Sequence, residues 1–501
     1  MKTMKTTNWT KEQTDIFNEF KNGNSHARII ARAGSGKTST ITHGLNLAPE
    51  TKIFYGTFNK KLQQEAMQKI TNQNVSVKTL HALGYSYIAQ NWRKFKAGAS
   101  TEFFRVKEAC PEMPPFVMFQ TAKLVSYLKN TVIFPTQRDC LEVCDMRGID
   151  GGSFEKEGWT AERMSEIALK VIEKSKEYSY FISFDDLIWL PVAMNWIKPS
   201  FDLLTIDETQ DLSAVQLEII IRACNPKGRI ILVGDPRQNI YGFRGALNNG
   251  MDLFKEKLKT KEFTLTVSFR CPKKVISFAK SIVPDIQAHE SAIDGELNMI
   301  SEDTFFTNVR VKDAVLSRTN APLARQCLAL LRKNIPAYFE GRDVGKTLMD
   351  LIKNLGGNTV SEFLINLETW QGIQAAKSSG KFGSKKMELV NDQAETLKCL
   401  SENIIHMEDL EKKINSLFQD AENVRVPSVV CSTVHKAKGL EWQNVHLLSE
   451  TFVSKRRGLT PEDIKEESNI FYVAITRSKS ILNLVSSSQN NGVTNKQVAP
   501  K

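Results

Sequence analysis

Ala31-Arg32-Ala33-Gly34-Ser35-Gly36-Lys37-Thr38 sets a lysine and a hydroxyl directly behind a Gly/Ser turn. A polyphosphate is what such a turn can hold. Its backbone N–H groups, at Ala33, Gly34, Ser35 and Gly36 and on into Ser39, can face inward around the phosphates. Lys37 would reach the outer phosphates, and the Thr38 hydroxyl would ligate Mg²⁺. The usual first glycine of this spacing is Ala31 here. A second group is Asp207-Glu208, directly after the apolar run Phe201-Asp202-Leu203-Leu204-Thr205-Ile206. Asp207 would hold Mg²⁺, directly or through water, and Glu208 would orient and deprotonate an attacking water. A third is Gly234-Asp235-Pro236-Arg237-Gln238, where the Gln238 amide can sense a terminal phosphate. Gln13, just upstream of the turn, can read an adenine by paired donor and acceptor. Each group has a bland alternative: a chance Gly/Ser loop, surface acids, a surface glutamine. Position argues against chance, since the turn and the acid pair each follow a buried-type strand.

These residues need elements to hold them. Ala27–Ala31 is an apolar run that predicts a strand, and a helix opens at Lys37. Asn8-Trp9-Thr10-Lys11-Glu12-Gln13 starts a helix with Ile16, Phe17 and Phe20 on one face. Strands at 52–56, 75–77, 201–206 and 229–233 alternate with helices, which predicts a parallel sheet covered on both faces. Ligands lie at the carboxyl edge of such sheets, so the loops at Phe58-Asn59-Lys60 and Thr79-Leu80-His81 draw notice. The sheet is expected to resume at Phe184–Ile188, after a helical insertion. A second alternating region begins near Phe263, and 345–423 is again helical and polar. The basic stretch Lys377–Lys386 within it reads as a solvated loop. The division expected is 1–88 and 183–262 for a first domain, 89–182 for its insertion, 263–344 and 424–489 for a second domain, 345–423 for an outer insertion, and 490–501 for a flexible tail.

Bulk composition narrows the classes. At 501 residues the chain exceeds one hydrophobic core. Hydrophobic residues at 41% and charged residues at 25% are ordinary for a soluble globular protein. The charge balance, 67 − 56 = +11, suits a polyanionic partner. No apolar run reaches membrane-span length, and the N-terminus lacks the apolar core of a signal peptide, so no membrane role is expected. The eight cysteines are scattered, with only Cys140 and Cys144 close together, and read as reduced thiols rather than a zinc site. A guanine-nucleotide switch would need Asn-Lys-x-Asp, and Asn59-Lys60-Lys61-Leu62 lacks the acid.

Taken in order from Gln13 to Lys479, these blocks resemble superfamily 1 DNA helicases of the UvrD/Rep type. The match rests on the phosphate loop, which often carries Ala first in that family, and on Asp207-Glu208-Thr209-Gln210-Asp211. It rests also on Gly234–Gln238 through Arg244-Gly245-Ala246, and on Thr433-Val434-His435-Lys436-Ala437-Lys438-Gly439-Leu440-Glu441-Trp442. Phe58-Asn59-Lys60, Thr79-Leu80-His81 and Gly242-Phe243-Arg244 are most similar to the branch holding the eukaryotic F-box DNA helicase and its phage relatives. Two departures stand out. Ser468-Asn469 replaces an Arg-Arg pair, and the outer insertion is short.

The resemblance implies an α/β fold of two RecA-like parallel-sheet P-loop domains, each with a mainly helical insertion, and ATP with Mg²⁺ as cofactors. Gln13 would read adenine, Phe269 would stack on it, and Glu441 would touch the ribose. Arg270 and Arg477 would reach the γ-phosphate beside Lys37, Thr38, Asp207, Glu208 and Gln238. Single-stranded DNA would lie on Phe58, Asn59, His81, Tyr241, Phe243, Arg244, Thr433 and His435. The implied activity is 3′ to 5′ movement on single strands with duplex unwinding, acting at single-strand/duplex junctions. The alternative is a translocase that strips bound proteins with little unwinding. Repair, replication or recombination proteins are the implied partners. The implied location is the cytoplasm of a bacterial or phage-infected cell, or a eukaryotic nucleus. A fused nuclease is not expected after the final motif.

Overall fold

Parallel strands organise both halves of the chain, as the alternating pattern predicts. The computed structural model describes residues 9–57, 60–99, 101–240, 250–377, 383–424, 426–452 and 460–486. The chain divides into two units, Met1–Thr266 and Val267–Lys501.

The first unit is built on a six-stranded sheet. From edge to edge its strands are Val75–Thr79, Ile53–Thr57, Phe201–Ile206, Cys224–Gly234, Ala27–Ala31 and Lys261–Leu265. All neighbours pair in parallel. Buried on both faces, these strands read as nearly continuous apolar runs. Alternate residues serve two cores. Ile29, Tyr55, Leu203, Ile231 and Val233 face Ile16, Phe20, Ile41 and Leu45. Phe54, Leu204, Ile206, Ile230 and Leu232 belong to the core that continues into the inserted helices.

The first helix, Lys11–Asn22, begins with a reciprocal cap between Thr10 and Gln13. The insertion contains helices Thr101–Ala109, Pro115–Thr131, Gln137–Arg147 and Ala161–Lys174. A charge-balanced quartet ties it down. The wholly buried Lys129 ammonium binds Glu102 and Asp186, both at 2.7 Å, and Arg105 binds Asp186 at 2.6 Å.

Two expectations are corrected here. Phe184–Ile188 is not a sheet strand: Asp186–Ala193 is a helix, and the strand just before it, Phe181–Ser183, pairs with Lys96–Gly98 in a separate small sheet. A short apolar run does not distinguish a buried strand from a buried helix. Gly84 shows how closely this helix packs, since a Cβ there would lie 1.7 Å from the Leu187 carbonyl oxygen. The strand Lys261–Leu265, which the sequence reading cut at 262/263, completes the first sheet.

The second unit holds a seven-stranded sheet, in the order Glu296–Ser301, Ser478–Ser486, Trp442–Leu448, Ala314–Ser317, Val429–Thr433, Ala337–Glu340 and Phe418–Gln419. It too is parallel throughout. Helices Arg342–Leu355, Val360–Lys377, Gly383–Ser401 and Met407–Leu417 lie between the strands Ala337–Glu340 and Phe418–Gln419. They share a core with the sheet through Phe339, Phe363, Leu367, Leu397, Leu410 and Cys431. Residues 378–382 of the basic stretch lie outside the described residues. Among the described residues, no helix is long and apolar enough to cross a membrane.

Candidate active site

Strand Ala27–Ala31 ends at the carboxyl edge of the first sheet. The chain then turns through Gly34 and Gly36, at φ 73° and 75°. That left-handed backbone favours glycine at both points. Gly36 precedes helix Lys37–Leu47, and no side chain caps its start. The first-turn N–H groups therefore point toward ligand space. Ser35 is buried, and its hydroxyl has no hydrogen-bond partner. An orphan hydroxyl inside a glycine turn at a helix start fits a phosphate oxygen.

Phe201–Ile206 carries the acids to the same edge. Lys37 Nζ lies 3.0 Å from Asp207 Oδ1 and 2.5 Å from Glu208 Oε1. The buried Asp207 carboxylate also accepts the Glu208 N–H at 2.8 Å and the Tyr55 hydroxyl at 3.4 Å. Glu208 adopts φ 52°, a left-handed backbone without the glycine that would ease it. Burial alone would lower the Lys37 pKa, but the two carboxylates outweigh it and raise it, so Lys37 stays charged. Burial, with the same acids, pushes Tyr55 well up and keeps its phenol a donor.

Behind the acids runs a network that joins the third sequence group. Gln210 Nε2 donates to Glu208 Oε2 at 2.5 Å, and Gln210 Oε1 accepts the Asp235 N–H at 3.0 Å. Gly234 makes room, because a Cβ there would lie 2.2 Å from Gln210 Oε1. The Asp235 carboxylate, 1% exposed, receives Arg32 Nη1 at 2.9 Å and Gln238 Nε2 at 2.9 Å. Gln238 is thus oriented through Asp235. Sequence reasoning missed Arg32, Tyr55, Gln210 and Asp235. Arg32 and Asp235 directly follow apolar strands and Tyr55 lies within one, but Gln210 sits in the short turn Thr209–Asp211, and residue type alone does not show which side chains these residues hold.

The donor set suits a hard divalent ion. The Asp207 carboxylate and the Thr38 hydroxyl are oxygen ligands of the kind Mg²⁺ takes alongside phosphate oxygens and water. Among the described residues, no group of three or more His, Cys, Asp or Glu side chains could hold a metal alone.

Gln13 is 3% exposed. Its carboxamide oxygen accepts the Thr10 N–H at 3.0 Å, and its nitrogen donates to Thr40 Oγ1 at 3.0 Å. Both ends are engaged with its own helix start and the phosphate-loop helix. Each end keeps one further donor or acceptor site, and the two bonds fix how the carboxamide is turned.

In the second unit, Phe269 is 43% exposed, with its ring 4.6 Å from that of His289. Glu441 draws together Arg270 Nε and Lys479 Nζ, each at 2.5 Å. Partial burial would raise its pKa, but the Lys479 hydrogen bond and the Arg270 charge outweigh that and hold it below the ordinary glutamate value. Arg477 differs from Arg270. It is 1% exposed and donates to the Val473 carbonyl at 2.8 Å, the Leu440 carbonyl at 3.2 Å and Thr476 Oγ1 at 3.2 Å. Its guanidinium is engaged with its own unit's backbone.

Thr433 is buried before the short helix Val434–Ala437, on which His435 is half-buried. In the first unit, His81 is exposed at the start of helix Leu80–Asn91, which Thr79 caps. Phe58, Asn59, Tyr241, Phe243 and Arg244 lie outside the described residues.

The chain matches the UvrD/REP helicase N-terminal domain over residues 9–259 and the UvrD-like helicase C-terminal domain over residues 349–489. It is 26% identical to F-box DNA helicase protein 1 of Schizosaccharomyces pombe, over 94% of this chain and 56% of that one. It is 26% identical to F-box DNA helicase 1 of Gallus gallus, over 94% of this chain and 48% of that one. A probable DNA helicase of Mycoplasma pneumoniae is 24% identical, over 91% of this chain and 80% of that one. The chain thus spans about half the length of the two F-box relatives.

Proposed function

The chain belongs to the UvrD/Rep helicase family, and on that premise we propose that it is an ATP-driven motor that moves 3′ to 5′ along single-stranded DNA and opens duplex. The observation that carries the reading is the meeting of Lys37 with Asp207 and Glu208 at one sheet edge. Lys37 and the backbone of Ala33 through Ser39 bind the phosphates. Glu208, held by Gln210, orients the attacking water and takes its proton. Gln238, anchored through Asp235, senses the terminal phosphate. Thr38 and Asp207 would hold Mg²⁺, which when bound offsets the charge of the phosphate oxygens.

The resemblance supports the remaining roles. Arg270 and Arg477 stabilise charge on the transferring phosphoryl group, Phe269 and Gln13 serve the base, and Glu441 serves the ribose. His81, Thr433 and His435, with Phe58, Asn59, Tyr241, Phe243 and Arg244, form the strand track. Bases stacking on aromatic faces suit a motor indifferent to sequence.

The test is a pair of duplexes with either a 3′ or a 5′ single-stranded tail, incubated with ATP and Mg²⁺. Opening of the 3′-tailed duplex is expected. Preference for the 5′ tail would overturn the polarity, and ATP hydrolysis on single strands with no opening of either would favour a translocase that clears bound proteins.

A further inference from the structure

Helix Leu80–Asn91 buries Leu83, Gly84, Tyr87 and Ile88 and exposes His81 and Tyr85. His81 and Tyr85 stand one turn apart on the same face. Tyr85 is 48% exposed, and its ring lies 4.7 Å from that of Phe95. Phe95 leads into strand Lys96–Gly98, which pairs with Phe181–Ser183 so that Lys96 stands opposite Phe181. The Lys96 N–H donates to the Tyr180 carbonyl at 2.8 Å. This register brings Tyr180 and Phe181 next to the Phe95 end of the small sheet. They are 55% and 54% exposed, with rings 4.9 Å apart and nearly perpendicular.

Aromatic side chains normally bury their large apolar surface, so a group of them in water marks a binding face. Its charge says what binds. Arg93, Lys94 and Lys96 are exposed beside the rings, and among the described residues none has an ion-pair partner. Unpaired cations beside the open rings of Tyr85, Tyr180 and Phe181, with the half-buried Phe95 packed against Tyr85, match a strand of unstacked bases with its phosphates.

We propose that Tyr85, Phe95, Tyr180 and Phe181, with Arg93, Lys94 and Lys96, form a stacking platform for single-stranded nucleic acid that extends the strand track from His81 onto the root of the helical insertion. This rests on the reading that the chain binds single-stranded DNA. The rings take bases, the cations take phosphates, and the small sheet holds both in register.

The test uses the full chain and a fluorescent oligothymidylate, with affinity followed across a salt series. Tyr85→Ala/Tyr180→Ala/Phe181→Ala should lower affinity by about tenfold or more, since each base–aromatic stack is a substantial part of such binding. Arg93→Gln/Lys94→Gln/Lys96→Gln should flatten the slope of log affinity against log salt by about 2, at about 0.7 per phosphate contact on single strands. Both sets should leave ATP hydrolysis without DNA and the melting temperature at wild-type values. Tyr85→Phe/Tyr180→Phe keeps the rings and should bind as wild type; loss of binding there would overturn the stacking role. Wild-type affinity and slope in both disruptive sets would overturn the platform alone, leaving the motor reading intact. Failure of the wild-type chain to bind oligothymidylate would overturn both.

Discussion

Lys37 answers to two carboxylates at once; the residues that meet there were readable from their types, but their pairing with one another was not. A lysine behind a glycine turn and an acid pair behind an apolar strand are each chemically explicit. The residues that hold them in place were not, because Gln210 and Asp235 act through other side chains. Lys37→Ala should abolish ATP hydrolysis and leave oligothymidylate binding within a few-fold of wild type, since the proposed strand contacts lie on other elements. Near-normal steady-state turnover would refute the assignment. Arg270 and Arg477 look equivalent in sequence but differ in structure. Arg270 meets Glu441 on a partly exposed surface, whereas Arg477 donates to two backbone carbonyls within its unit. Each change to alanine should slow single-turnover hydrolysis by about 10³-fold or more, as for arginine fingers. Only Arg477→Ala should also lower the melting temperature, by several degrees, because it removes a buried guanidinium together with its hydrogen bonds to Val473, Leu440 and Thr476. Equal melting temperatures for the two variants would contradict the structural part of that role.

At the scale of elements, long periodic segments and strands with clear flanks were legible. The helix at 11–22, the two sheets and the outer helices at 345–423 follow the pattern of the sequence. The failures came at short segments. Asp186–Ala193 is apolar all round because it is buried between other helices, so it carries no period to read. Lys261–Leu265 belongs to the first sheet because Ala27–Ala31 pairs with it, a partnership no local pattern encodes. His26 helps fix that edge. Its Nδ1 accepts the Ile230 N–H at 3.0 Å, and its carbonyl accepts the Lys261 N–H at 2.9 Å. Nδ1 can accept only in the neutral ring, and burial lowers the His26 pKa below 6.5. The unfolded chain therefore binds the proton more readily, so this contribution is full above about pH 6.5 and is lost as pH falls through the folded value. Urea melts of the first unit's signal should weaken from pH 7.5 to 5.5, and less so in His26→Gln. The same pH dependence in that variant would assign the effect to other groups.

The whole molecule has more than one core. The first unit's sheet packs around Ile16, Phe20 and Ile231 on one face and Leu204 and Ile230 on the other, while the second unit has its own core around Phe339 and Leu397. Calorimetry should accordingly resolve more than one unfolding transition; a single one whose calorimetric and van't Hoff enthalpies agree would show the units unfolding as one. Net charge and class were plain from composition, but how stability is spread along the chain was not. Glu208 is a case in point, with a carboxylate side chain on backbone that glycine adopts more readily. Selection for heat resistance alone would replace it. Glu208→Gly should raise the first unit's melting temperature by a few degrees while ending hydrolysis, as relief of about 1 kcal/mol or more of backbone strain implies. A lower melting temperature would show that the ion pair with Lys37 matters more than the strain. If it rises, Glu208 marks a place where this chain keeps turnover and gives up robustness.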